Sequence, residues 1–456
     1  MHMNRSSLYR GIALTIGLVA LSVGGCGVPE QQAGTENAVF FPPPPERPRL
    51  QFLKSFSSPA DLGAPGPSGF EQFVLGEAEQ QEGITTPYGM AVHDGKLYVC
   101  DVAKRRVEVL DLRNRSFGYM TEDRRLRNPA NIFIEDDGTK YVADPSAGAV
   151  FVFDAGNTLR SILGKDLAIS PRDVAIHGAY CYLTDLRTNE VVVLDKRTGT
   201  EVRRIRYEAD QGRQKQISDL TFGPDGDLYV TDRFQRKIFR MDASGTPKGT
   251  IGRYGDNIDE LVMPKGIAVD KENRVWVVDA GVAVAGWSKE VVNIYDEQGR
   301  LLLFFGRPGN EPGNMNMPAT VVIDYENVDL FRPFAVRGAQ LEFLVFVTNQ
   351  YGGRKINVYG FGRFPVESRP QPVAQEPRRV VEASTDDDRQ MQRMQEIADL
   401  YNESMSLYRA GRLEQARAGF VEVIASGLIP PPMAESVKGY IRDIDARLRR
   451  GPGARP

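Results

Sequence analysis

The chain has 456 residues, with 57 Lys and Arg against 60 Asp and Glu, a net charge of −3 and 41% hydrophobic residues. That length allows roughly two to four domains and a sizeable core, which excludes wholesale disorder. The balanced charge lacks the basic field of a bulk nucleic-acid binder, so no nucleic-acid partner is expected. Gly at 45 and Pro at 29 exceed average usage and cut the chain into many short elements joined by turns.

In chain order, residues 1–25 read as a targeting segment. Arg5 and Arg10 supply positive charge, residues 11–23 are 13 mostly apolar positions, and Val23-Gly24-Gly25 leads into Cys26. So short a run falls below the ~20 residues that span hydrocarbon, which favours a cleaved signal over a transmembrane anchor. Small residues followed at once by Cys resemble the lipobox of bacterial lipoproteins. The resemblance implies a diacylglycerol thioether on Cys26 and an N-acyl chain such as palmitate. Two or more chains are what stable anchoring requires. Gly27, rather than Asp, after the cysteine resembles outer-membrane sorting, so a lipid-anchored protein facing the periplasm or the cell surface is expected. An ordinary secretory signal with a chance cysteine is the alternative.

Residues 26–48 read as a tether whose end, Phe41-Pro42-Pro43-Pro44-Pro45-Glu46-Arg47-Pro48, favours extended polyproline geometry. A second Pro-rich linker, residues 365–385, precedes a charged tail. Beyond Cys26 only Cys100 and Cys181 remain, without CxxC or Cys/His clusters, so no zinc, covalent haem or other cofactor is expected. Both cysteines fall in strand-like runs and read as buried apolar residues; spacing leaves a disulfide between them open.

Between the linkers, residues 49–364 repeat. Each unit opens with an alternating strand, usually after Pro, then a strand ending in Asp, then a third strand. The fifth unit is the cleanest: Pro264-Lys265-Gly266-Ile267-Ala268-Val269-Asp270, Val275-Trp276-Val277-Val278-Asp279 and Val292-Asn293-Ile294-Tyr295-Asp296. The strand-end residues Asp101, Asp144, Asp185, Asp232, Asp279 and Asn349 lie 43, 41, 47, 47 and 70 apart. Such periods, with several short strands per unit, mark propeller blades. The pattern resembles the NHL-repeat family, which implies a mainly β, six-bladed propeller. Unit six lacks an outer strand after Tyr359, and Arg49 to Phe56 has the right alternation to supply it, so the chain's beginning is expected to close the ring. Six copies of the strand-end acid argue for turn chemistry, Asp accepting backbone N–H groups, rather than catalysis.

Propeller connectivity puts the 4→1 and 2→3 loops on one face. That face gathers residues 121–128, 207–216, 252–263, 306–317 and the long loop 280–289. Arg213, Arg253, Tyr254, Trp287 and Arg307 lie there and are candidate partner-binding residues among mixed charges. At the innermost-strand starts, Tyr88, Arg172 and Lys265 could hold an anionic ligand. Resemblance to gluconolactonase-like propellers implies a channel-mouth cation; the candidates are Asn131, Asp173 and Asp219, although strict alternation points them to the other face of the pleat. Arg172 and Lys265 would repel a divalent ion, and no metal is expected. Amidating-lyase-like propellers need several His, and His93 and His177 read as turn residues on the wrong face. The insertion at 325–342, with Leu330-Phe331-Arg332-Pro333-Phe334, must pack on the body or on a partner.

Residues 386–450 carry apolar residues at three- and four-residue steps. Leu400, Ser404, Leu407, Tyr408, Gly411, Ala416 and Phe420 resemble one tetratricopeptide repeat, which implies a small helical module able to take a peptide. The sequence therefore supports a lipid-anchored, non-catalytic propeller scaffold for a protein or cell-envelope partner. The alternatives are a lactonase-like hydrolase or lyase using a channel-mouth cation, and a sensor or carrier of an anionic small molecule.

Overall fold

A computed structural model describes residues 38–63, 83–210, 212–255, 260–282, 288–365 and, in part, 400–450. The expected signal segment, Cys26 and most of the expected second linker lie outside them. The described chain forms six antiparallel sheets, five of four strands and one of five, each running outward from an innermost strand. The inner strands are Pro87–His93, Asn131–Ile134, Pro171–His177, Ile217–Phe222, Pro264–Val269 and Pro318–Asp324. Each contacts the next around the ring, and the sixth returns to the first. The fold is a six-bladed β-propeller.

Packing follows from two-faced blades, since each must bury both sides against neighbours. Six apolar clusters fill the six seams. Cys100 is buried between blades one and two, Cys181 between blades two and three, and both thiols are free.

Ring closure is as the sequence implies. Leu50–Phe56 pairs antiparallel with Ile356–Arg363 as the fourth strand of blade six. The expected tether boundary moves, however. Phe40–Phe41 adds a fifth strand opposite Leu50 and Gln51, and the prolines between make a turn instead of an extended rod. Phe41 drives this, because its ring packs on Phe305 and Tyr359, with centroids 5.9 and 6.0 Å away. The insertion after blade six's inner strand packs on the propeller. A short helix, Val328–Phe331, buries Phe331 beside Phe56 and Phe346 in the closing seam. The residues 280–289 are not a loop throughout. Val275–Val282 and Ser288–Tyr295 stay paired out to Val282 and Ser288, and the tip with Trp287 lies outside the described residues.

The tail contains helices Leu413–Ala425 and Pro431–Arg450. Ala416, Phe420 and Val423 face Val437 and Ile444 in a small core. The second helix starts at Pro431, where proline suits a first turn because its missing N–H has no helical partner there. Among the described residues, no helix is long and apolar enough to cross a membrane.

Candidate functional site

The loop-rich face is rigid because the strand-end acids staple it. Asp101, fully buried, accepts backbone N–H bonds from Thr85 and Thr86 on the incoming loop and from Ala103 and Lys104 in its own turn. Asp144 does the same for Arg127, Asn128 and Ala147, and Asp232 for Gln216, Phe234 and Gln235. In blade six Asn349 accepts from the Asn316 amide at 3.2 Å. Turn chemistry was legible in the sequence; the second half of the clamp, which reaches the 4→1 loop, was not.

Asn131, Asp173 and Asp219 come together from blades two, three and four. Strict alternation fails because the inner strands of blades three and four are bulged between Pro171 and Val174 and between Ile217 and Leu220, and a bulge re-aims side chains. Asn131 donates its Nδ2 to Asp173 and, at 3.3 Å, to Asp219. Asp173 Oδ1 accepts from the Val174 amide at 2.8 Å, and its Oδ2 from the Leu220 amide of the next blade at 2.7 Å. Asp219 Oδ2 accepts from the Ile267 amide of blade five at 3.0 Å. Burial, joined by the Asp173 charge and a hydrogen bond with Asp173, pushes the Asp219 carboxyl well above the usual range. A cation needs free oxygens. This trio instead presents an amide N–H and oxygens already engaged by backbone amides or by Asn131, so it does not fit a metal. It reads as a belt joining successive blades.

Above the belt lies a cluster of cations. Arg172 stacks over the Tyr88 ring, 4.5 Å from its centroid, and donates to the Tyr88 hydroxyl, so blades one and three meet across the channel mouth. Lys265 is 4% exposed. Burial, with Arg233 and Arg172 as positive neighbours, lowers its ammonium to about 8. Arg233 was not singled out in the sequence; it directly follows Asp232, and only the ring brings it near Tyr88 and Arg172. One of its Nη groups lies 2.9 Å from the Met263 sulfur. The Nε atoms of Arg172 and Arg233 are buried without an acceptor. Carboxyl groups near the mouth are those of the Asp173–Asp219 pair beside Arg172 and of Glu290 and Asp279 near Lys265. Glu290 already accepts from Ser288 Oγ and the Met317 amide, and Asp279 pairs with Lys289 at 3.1 Å.

On the rim, Arg213 and Arg236 each place a guanidinium 3.9 Å from the Tyr254 ring centroid. Tyr254 and Phe234 remain 43% and 46% exposed, which leaves an aromatic–arginine patch of the kind that anchors protein contacts. Two further candidate arginines on this face are committed internally: Arg253 to Glu260 at 3.2 Å and Arg307 to Asn314 at 3.0 Å. His93 and His177 end inner strands, and His177 stacks on Phe222 with centroids 4.4 Å apart.

No protein-family profile matches the chain, and no curated protein is significantly similar to it. Solved structures that resemble it include a virginiamycin B lyase from Staphylococcus aureus, at 14% identity and a TM-score of 0.41 over 62% of this chain and 86% of that one. A gluconolactonase from Xanthomonas campestris has 15% identity and a TM-score of 0.44, covering 73% and 99%. An auxiliary nutrient binding protein from Bacteroides thetaiotaomicron has 13% identity and a TM-score of 0.46, covering 62% and 70%. Likeness at this level brings no reaction or ligand to this chain.

Proposed function

We propose that this chain is a lipid-anchored, non-catalytic propeller scaffold whose loop-rich face docks a protein or cell-envelope partner and takes an anionic group of that partner into the channel mouth. The supporting observation is the mouth itself: Arg172, Arg233 and Lys265 crowd together, and two buried guanidinium Nε atoms have no acceptor. Buried donors without partners cost free energy that an incoming anion would recover. The Tyr254 patch supplies an aromatic anchor on the same loop-rich face. The signal and Cys26 pattern supports anchoring in the outer membrane, and the tetratricopeptide-like helices offer a second contact surface. A free anionic small molecule held by Tyr88, Arg172 and Lys265 is a second reading of the same mouth. A lactonase-like hydrolase or lyase would need a cation that the Asn131 trio does not fit.

The test is site-specific photocrosslinking in intact cells, with the reactive group at Phe234 on the loop-rich face or at Gly178 in a turn on the opposite face. A defined adduct from position 234 alone, lost on Arg172→Ala, supports docking; absence of any adduct from position 234 overturns it. Palmitate labelling abolished by Cys26→Ser tests the anchor separately.

A further inference from the structure

We propose that the seam between blades one and two carries a second anion site, separate from the mouth and built for a phosphate group. A groove of about 630 Å³ opens there, lined by Arg105, Arg124, Arg127, Asn128 and Ser146 over Leu126. The three arginines are exposed, and among the described residues no carboxylate lines the groove. Of the adjacent acids, Asp123 binds Arg125 at 2.6 Å, which leaves the flanking Arg124 and Arg127 outside that pair, and Glu122 does not line the groove.

The walls are fixed before any ligand arrives. Asp144 accepts from the Arg127 and Asn128 amides at 2.6 and 2.8 Å on one side and from the Ala147 amide at 2.8 Å, next to Ser146, on the other. Asp101 holds the turn carrying Arg105 through the Ala103 and Lys104 amides. Three like charges on pinned loops repel one another until a counter-charge enters. A carboxylate offers two oxygens, whereas a phosphate monoester offers three terminal oxygens and up to two charges, which matches three guanidinium forks with the Asn128 and Ser146 side chains beside them. The phosphate could belong to a lipid headgroup or to a soluble ester.

Calorimetry on the detergent-solubilised full chain with inorganic pyrophosphate and with succinate tests the chemistry. Flotation with phosphatidic acid or phosphatidylcholine vesicles tests the source, since the lipid anchor adds equally to both. Pyrophosphate binding that weakens about tenfold or more in each of Arg124→Ala and Arg127→Ala supports a site for soluble phosphate. A phosphatidic acid preference lost in the same variants supports a headgroup site. Succinate binding as tightly as pyrophosphate overturns the phosphate assignment. Absence of both pyrophosphate binding and a phosphatidic acid preference, or binding that responds to Arg172→Ala but not to the groove variants, overturns the site and leaves the reading of the mouth standing.

Discussion

Phe56 lies opposite Ile356, so a residue from before blade one sits inside the sheet of blade six. Its ring is 3% exposed and meets Phe331 edge-on with centroids 6.2 Å apart. The closing strand from before blade one, the last strand of blade six and the blade-six insertion therefore share one seam. Phe56→Ala should cost about 3–5 kcal/mol, the range for emptying a buried aromatic site. Denaturant unfolding measures it. A cost under about 1 kcal/mol would mean that this strand does not hold the ring shut.

Much of this was visible in the sequence. The six strand-end residues and the alternation of Arg49 to Phe56 specify blade number and closure because they are local and periodic. What escaped depends on several blades at once. Arg233 joins the mouth only through ring geometry, and Asp173 meets Asp219 only because bulges break the two-residue period. Phe41 reads as linker by its proline neighbours, yet its own ring decides its place by packing on Tyr359.

The Gly in the inner-strand opening is a spacing requirement. A Cβ on Gly266 would stand 2.6 Å from both the Ala319 oxygen and the Thr320 Cα of blade six, and backbone cannot yield as a side chain tip can. Gly266→Ala should destabilise by about 1–3 kcal/mol, the usual cost of overpacking. Gly118, with nothing within 4 Å, is the control and should tolerate Ala within about 0.5 kcal/mol. Equal effects in thermal unfolding would refute close blade approach at the axis.

The Asp173–Asp219 pair makes a pH prediction. A carboxyl whose folded pKa is raised holds its proton more tightly in the native state, so its contribution is greatest at low pH and is lost as pH climbs from the unfolded value toward the folded one. Asp219→Asn keeps an oxygen for the Ile267 amide and an N–H for Asp173. It should remove that decline and be at least as stable as the wild type at pH 8. Asp219→Ala should instead lose about 1–3 kcal/mol by orphaning the Ile267 amide. Melting curves across pH decide it; a slope unchanged in Asp219→Asn would show that the pair does not share a proton.

Lys265 gives the mouth its own titration. With its ammonium lowered to about 8, anion binding should be strong at pH 7 and weaken toward pH 9 as the charge leaves. A bound anion would raise that pKa, so binding should take up protons near pH 8. Thermal shift with inorganic phosphate and succinate, repeated in Lys265→Met, checks this. The variant should bind more weakly at pH 7 and lose the dependence between about 7 and 9. A wild-type response that is flat with pH would remove Lys265 from the site.

Glu108 sits fully buried on the third strand of blade one, 3.0 Å from Lys104, and its Oε2 has no hydrogen-bond partner. Burial raises its carboxyl to about 7, more than the Lys104 hydrogen bond and charge offset. A folded value above the unfolded one means stability falls as pH rises from about 4.5 to about 7, by no more than about 3 kcal/mol. Glu108→Gln cannot ionise and should flatten that segment of the stability profile. The measurement is best made in the Asp219→Asn background, which removes another raised carboxyl, and the slope between pH 5 and 7 that Glu108→Gln takes away there is assigned to Glu108. No change on Glu108→Gln there would mean that Lys104 fully compensates the buried charge.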